Sequence, residues 1–298
     1  MSETLQNFVL RELCPDGVWQ LSDVVKSLLT YQLSRLPEGE VSEDETRYPQ
    51  SPTGMRAFLS EFFARHYFQT QNSLFDYMTS QDFFDVFRLG HLRILDVGSG
   101  PAVASLAITN MLVCVLEHLK GVGEWPKGKM VKVEYVLNDT SGICLGTGQR
   151  MLSDYFRITE RNNTGIVHSR TIRIQKAFPD NMNQLRRIAH NLGTYDIVAF
   201  CYVVSPLNED KVFDGLVNGL LDIERLCNMG GRILILQDRF QAALVRQMSR
   251  AIGVSSHKEE STQAIYPSKN THETYTYTYY SCLYTPSREM TIKQSNVA

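Results

Sequence analysis

Leu92-Arg93-Ile94-Leu95-Asp96-Val97-Gly98-Ser99-Gly100-Pro101-Ala102 is the stretch on which the reading of this chain turns. Its apolar run, Leu92 to Val97, is nearly continuous, as in strands covered on both faces of a parallel sheet. The run passes straight into Gly-x-Gly, and Ser105 to Leu119 then reads as a helix. Strand, glycine turn and helix in that order make a nucleotide-type loop. Gly98 and Gly100 open backbone angles closed to other residues and let the main chain approach a ligand. Asp96 stands two residues ahead of the first glycine, and Pro101 and Val103 occupy places where a dinucleotide loop needs freedom and a third glycine. Those details disfavour NAD.

Working outward, short β-rich runs alternate with helical stretches after His91, which predicts an α/β sheet with crossover helices. Strands are expected at Leu92–Val97, Val131–Leu137, Thr171–Gln175, Tyr195–Phe200, Arg232–Gln237, around Gln263–Tyr266, and at Thr274–Tyr284. The first five are near-continuous apolar runs, whereas TYTYTYYSCLY alternates like an antiparallel strand with one wet face. Gly230-Gly231 reads as a turn into the fifth strand. The expected fold is α/β: a Rossmann-like, seven-stranded, mostly parallel sheet with an antiparallel last strand, over residues 91–298, preceded by a helical extension or lid over residues 1–90.

Within that extension, Val18–Leu36 spaces its leucines and valines as one face of a helix. Residues 37–54 (PEGEVSEDETRYPQSPTG) are acidic and rich in turn formers, so an exposed loop and subdomain boundary is expected there. From Met55 to Leu89 aromatic residues recur at helical steps, which predicts two or three helices sharing an aromatic face.

With 298 residues, 43% hydrophobic and 21% charged, the chain can bury a full core. A formal charge of −2 argues against a globally basic nucleic-acid coat or a polybasic membrane anchor. The longest apolar stretch, Ala102 to Leu116, falls short of the ~20 residues of a bilayer span, and the first residues lack the pattern of a secretory signal. A cytoplasmic protein without membrane contact is the expectation. The six cysteines lie far apart with no Cys-x-x-Cys pair, which points to reduced thiols and no metal site.

The Asp96-x-Gly98-x-Gly100 loop at the end of the first strand resembles the first motif of the class I S-adenosylmethionine-dependent methyltransferases. The resemblance covers about Leu92 to Tyr284 and rests on order and spacing outside that motif. It implies S-adenosyl-L-methionine as cofactor, its methionine part cradled by Asp96, Gly98, Ser99 and Gly100. A second acid is expected at the end of the next strand to hold the ribose, and Asp139 supplies it, followed by Thr140. Ala177 and Phe178, after the third strand, would meet the adenine, and Cys201 and Tyr202, at the end of the fourth, would face the transferring methyl.

That fourth edge reads Cys201-Tyr202-Val203-Val204 and lacks the Asn/Asp-Pro-Pro-aromatic tetrad of enzymes methylating exocyclic amines of bases. No general base is visible; Tyr202 is the one catalytic candidate, and Arg65, Tyr67 and Asn72 are candidates to reach the acceptor from the helical extension. The methyl acceptor stays unidentified, with a small molecule or protein preferred slightly over RNA. The basic groups Lys127, Lys129, Lys132 and Arg170, Arg173, Lys176 keep a nucleic acid open, and a homodimer is compatible with the aromatic helices. The alternative reading is a non-catalytic cofactor-binding assembly protein. It draws on a fainter similarity of Asp139-Thr140-Ser141 and Cys201–Leu207 to the methyltransferase-like proteins of the small ribosomal subunit.

Overall fold

In the computed structural model, which describes residues 4–162, 164–203, 210–239, 242–254, 257–265 and 274–286, the Leu92–Val97 run lies inside a seven-stranded sheet. Its strands are β1 (His91–Val97), β2 (Val131–Asp139), β3 (Ile166–Gln175), β4 (Tyr195–Cys201), β5 (Cys227–Asp238), β6 (His257–Ile265) and β7 (Thr274–Tyr284). They stand in the order β3-β2-β1-β4-β5-β7-β6. The first five run parallel, and β7 is antiparallel to both its neighbours. The expected α/β architecture is therefore the observed one. The chain winds outward from β1 through β2 to β3, then returns to β4 on the other side of β1. This reversal opens a crevice at the carboxyl ends of β1 and β4, beside the glycine loop.

Three strands, β3, β5 and β6, begin ahead of expectation, β6 at His257 rather than near Gln263. β3 begins at Ile166 rather than Thr171. Gly230-Gly231 lies inside β5 rather than ahead of it: Tyr195 pairs with Cys227 and Ile197 with Arg232, so residues 228–231 bulge opposite Asp196. A Cβ on Gly231 would meet the Asp196 carbonyl oxygen at 2.8 Å, which is why the bulge carries glycine. The sixth strand ends at Ile265; Tyr266, expected within it, lies outside the described residues.

The helices are α1 (Leu5–Leu13), α2 (Asp23–Arg35), α3 (Glu43–Arg47), α4 (Pro52–Glu61), α5 (Phe63–Met78), α6 (Gln81–Phe87), α7 (Val103–Gly121), α8 (Gly142–Arg161), α9 (Met182–Leu192), α10 (Asp210–Glu224) and α11 (Ala242–Ala251). Serines start several of them: Ser22, Ser42, Ser51 and Ser80 each accept the N–H three residues on. α2 is shorter than the helix expected from Val18. Trp19 instead runs beside Ala264 as a parallel bridge, donating its N–H to the Gln263 carbonyl at 2.8 Å. The N-terminal segment thereby partly covers an exposed sheet edge.

α7 is buried at every position from Val103 to Leu116. Contrary to the sequence expectation, this 19-residue helix is long and apolar enough, by length and composition, to cross a membrane. Here it is enclosed by α1 and α5, with α8, β1 and β4 also packed on it. Its polar groups are partly matched: the Thr109 hydroxyl meets the Tyr135 hydroxyl at 2.6 Å, and Asn110 Oδ1 accepts from Ser22 Oγ and Tyr155 OH, while Asn110 Nδ2 is buried without a partner. One apolar cluster joins the N-terminal helices to α7, α8 and this face of the sheet. A second lies on the other face, under α9, α10 and α11.

Candidate functional site

The glycine loop is held in its shape by the tip of β2. Ser99 N–H donates to the Asn138 carbonyl at 2.9 Å, and Gly100 N–H donates to Asp139 Oδ2 at 2.9 Å. Gly98 (φ +63°) and Gly100 (φ +51°) are both left-handed, a conformation that disfavours any side chain. They differ in what lies outside them. A Cβ on Gly98 would sit 2.5 Å from Val203 Cγ2, whereas one on Gly100 would meet only Phe58 Cζ at 3.7 Å. Gly98 lets the loop pack against the chain leaving β4, and Gly100 leaves the cavity open.

Asp96 is almost fully buried. Its Oδ2 accepts both the backbone N–H (3.2 Å) and the hydroxyl (2.7 Å) of Ser105, in the first turn of α7. It does the capping that Ala102, at the N-cap position, cannot do. Burial pushes its carboxyl up to about 7, opposed by the Ser105 hydrogen bonds and reinforced by the nearby Asp139 charge. Asp139 divides its oxygens between Gly100 N–H and Ser141 N–H, the latter at 2.8 Å. Burial raises it too, against three backbone hydrogen bonds. Each oxygen keeps a lone pair for a ligand.

The loop opens on a cavity of about 660 Å³, of the size that holds a cofactor with a small ligand. Asp96, Gly98, Ser99 and Gly100 line it from β1, and Asp139 and Thr140 from β2. Lys176, Ala177 and Phe178 reach it after β3, and Cys201 and Tyr202 at the end of β4. The Phe178 ring also belongs to the second core, edge-to-face with Phe200 at 5.2 Å. Arg65 lines the cavity from α5, as anticipated.

Tyr67 and Asn72 do not. Tyr67 is fully buried, stacked on Phe63 at 5.6 Å and edge-on to Phe68. Asn72 donates to the Tyr279 hydroxyl at 2.8 Å. The helical phase of α5 turns both away from the cavity that Arg65 and His66 face. Val204, Ser205, Pro206 and Leu207, part of the fainter similarity at the fourth edge, lie outside the described residues.

Several lining residues carry no signal in the sequence. Residues 37–54 are mostly exposed, but they are not a plain linker: α3 forms within them, and Arg47, Tyr48, Pro49 and Gln50 wall the cavity. Ser141 Oγ donates to the Pro49 carbonyl at 2.6 Å, and Glu45 Oε1 accepts Gln50 N–H, Ser51 N–H and Ser51 Oγ. This strap is thus tied at both ends. At the opposite end, His66 stacks on Tyr202 with centroids 3.7 Å apart and planes 12° apart. Tyr202 is left-handed (φ +63°), its N–H on the Leu236 carbonyl and its hydroxyl on Gln69 Oε1. Arg65 is paired with Asp238 at the end of β5 and lies over the rings of Phe62 and Tyr277. Gln237 also lines the cavity, fully buried, with both amide atoms unpartnered.

No protein-family model matches the chain, and no curated protein matches it at a significant level. Among solved structures it is similar to a putative S-adenosyl-L-methionine-dependent methyltransferase from Methanococcus maripaludis: 11% identity, 86% of this chain and 100% of that one, TM-score 0.40. It is also similar to a putative RNA methyltransferase from Pyrococcus horikoshii, with 9% identity over 88% of this chain and 97% of that one, TM-score 0.39. A putative O-methyltransferase from Klebsiella pneumoniae shares 12% identity over 95% and 96% of the two chains, TM-score 0.38.

Proposed function

We propose that the chain is an S-adenosylmethionine-dependent methyltransferase. The observation that carries this is the Asp96 carboxylate seated in the first turn of α7, with Asp139 close enough to raise it. A dinucleotide's pyrophosphate would need that helix terminus for itself. A buried and a half-buried carboxylate side by side repel phosphate and favour a cation. S-adenosylmethionine carries an ammonium and a sulfonium and no phosphate, so the donor set fits it.

When bound, the cofactor supplies an electrophilic methyl group on sulfur. The chain's own residues do the rest. Asp96 would neutralise the cationic end. Asp139 would accept from the ribose hydroxyls while keeping the loop in place. The open side of Gly100 would admit the ligand against the main chain, and the strap at Tyr48–Gln50 would restrict water at the mouth. Bringing methyl and acceptor together in line supplies much of the acceleration such a transfer needs.

Isothermal calorimetry tests the reading. S-adenosylhomocysteine should bind one to one while NADH gives no heat, and incubation with methyl-labelled cofactor should transfer label to an acceptor. NADH binding with no S-adenosylhomocysteine binding overturns it. Cofactor binding without transfer to any acceptor would favour the non-catalytic reading.

A further inference from the structure

We propose that the end of the cavity enclosed by α5 and the tips of β4, β5 and β7 is an acceptor subsite for a planar aromatic molecule bearing a hydroxyl, with His66 as the base that takes the hydroxyl proton. The proposal rests on the methyltransferase reading above and adds the acceptor class to it.

Flatness comes from the walls. His66 stacks with Tyr202 at 3.7 Å and with Phe62 at 5.6 Å, and the rings of Phe62, Tyr202 and Tyr277 line the cavity with it. Ring faces select flat ligands, because offset stacking loses its contact area when the guest is puckered. Tyr202 is held in its place: a tyrosine takes a left-handed backbone only where its surroundings impose it, and here both its N–H and its hydroxyl are engaged. Polar recognition has a ready partner in Gln237, whose buried amide lacks hydrogen bonds on both nitrogen and oxygen. Such a group is costly to leave unpaired and is satisfied by a ligand offering a donor and an acceptor.

The hydroxyl follows from His66. It lines the cavity, and among the described residues no hydrogen bond engages its ring nitrogens. Burial, and then the adjacent Arg65 charge, hold it well below the usual imidazole range, so it is neutral with a lone pair available. The ionisable groups that line the cavity with it include Arg65 on its own helix, Cys201 and Tyr202 at the β4 tip, Asp238 and Arg239 at the end of β5 and Tyr277 on β7. An amine attacks through a lone pair and can shed its proton afterwards to water. A hydroxyl needs its proton removed as the new bond forms. In the step proposed, the acceptor O–H bond breaks and the proton passes to an imidazole nitrogen of His66. The oxygen bonds the methyl carbon, the carbon–sulfur bond breaks, and the electron pair stays on sulfur as a thioether. The imidazolium then releases its proton to water.

The test uses the full chain with catechol and aniline as probe acceptors. Catechol should be methylated on oxygen and aniline left untouched. His66→Phe keeps the ring stack and should lower catechol methylation by about 100-fold or more, with S-adenosylhomocysteine affinity unchanged. The native rate should fall on acidification with a midpoint below that of free imidazole, a limb His66→Phe lacks. In histidine-labelled native protein, the ring signal missing from His66→Phe should shift when catechol is added. The proposal is overturned if His66→Phe methylates catechol as fast as the native chain, if aniline is the substrate, or if a chain that binds S-adenosylhomocysteine neither shifts that signal nor methylates catechol. Failure to bind S-adenosylhomocysteine at all would instead overturn the cofactor reading beneath it.

Discussion

Asp139 accepts the backbone N–H of Gly100 at 2.9 Å across 39 positions of sequence, so the acid proposed to hold the ribose also shapes the loop proposed to hold the methionine. Asp139→Ala therefore removes a ligand contact and strands the backbone donors it holds, Gly100 N–H and Ser141 N–H among them. S-adenosylhomocysteine affinity should fall by about 1–3 kcal/mol, and unfolding stability by about as much. Asp139→Asn should recover only part of each, because an amide nitrogen cannot accept. Calorimetry and denaturant unfolding check both; lost affinity with unchanged stability would separate the two roles.

Asp96 makes folding and binding depend on pH. Its carboxyl is raised to about 7 in the fold, first by burial, so the folded state binds more protons than the unfolded one between the ordinary Asp range and pH 7. Its contribution to stability is full below that range and is lost as pH rises through 7. Asp96→Asn, which can still accept from Ser105, should flatten this slope. A cation placed beside Asp96 lowers its pKa, so cofactor binding near pH 7 should release a fraction of a proton. Calorimetry in buffers of different ionisation heat reads that release; proton uptake would contradict it.

Gly98 and Gly100 should fail differently. Both are left-handed, so alanine costs about 1–2 kcal/mol at either. At Gly98 the added methyl also meets Val203 Cγ2, and the larger loss of thermal stability belongs there. At Gly100 the methyl meets nothing closer than Phe58 Cζ at 3.7 Å and sits on the cavity side, so Gly100→Ala should weaken S-adenosylhomocysteine binding more than it lowers the melting temperature.

Glu45 fastens the strap over the cavity. Ser51 hydroxyl, Gln50 N–H and Ser51 N–H lower its pKa, so its contribution is present above the ordinary Glu range and lost as pH falls through the depressed value. Glu45→Ala should speed amide exchange at Gln50 and Ser51 and weaken cofactor affinity while leaving exchange in β1 and β4 unchanged. Protection of Gln50 and Ser51 equal to the native chain's would show that the strap does not depend on this carboxylate.

β1, β2, β4 and β5 were legible because parallel strands buried on two faces read as apolar runs, and β7 because one wet face leaves alternation; β3, at the sheet edge and largely uncovered, was read only in its second half. Asp96, Gly98, Gly100 and Asp139 were legible for a related reason: strand end, turn and helix start constrain consecutive residues. What stayed hidden depends on contacts far apart in sequence. The Arg65–Asp238 pair spans 173 positions, and the strap turns inward only because Pro49 meets Ser141. Tyr67 was misassigned for want of helical phase. α5 is covered on several sides, so apolar spacing does not say which side faces the cavity. Trp19 fits a helical face as well as it fits an edge bridge, and only β6, more than two hundred residues later, decides between them.

The burial of the long, mostly apolar α7 on all its sides has a consequence for how the chain is made. A segment of that kind, emerging bare from the ribosome, is what membrane-insertion machinery recognises and what neighbouring nascent chains adhere to. Because α1 and α5 are synthesised first and pack on it, its cover is already in place when it appears. Chains shortened at the amino end would present that greasy rod to the cell.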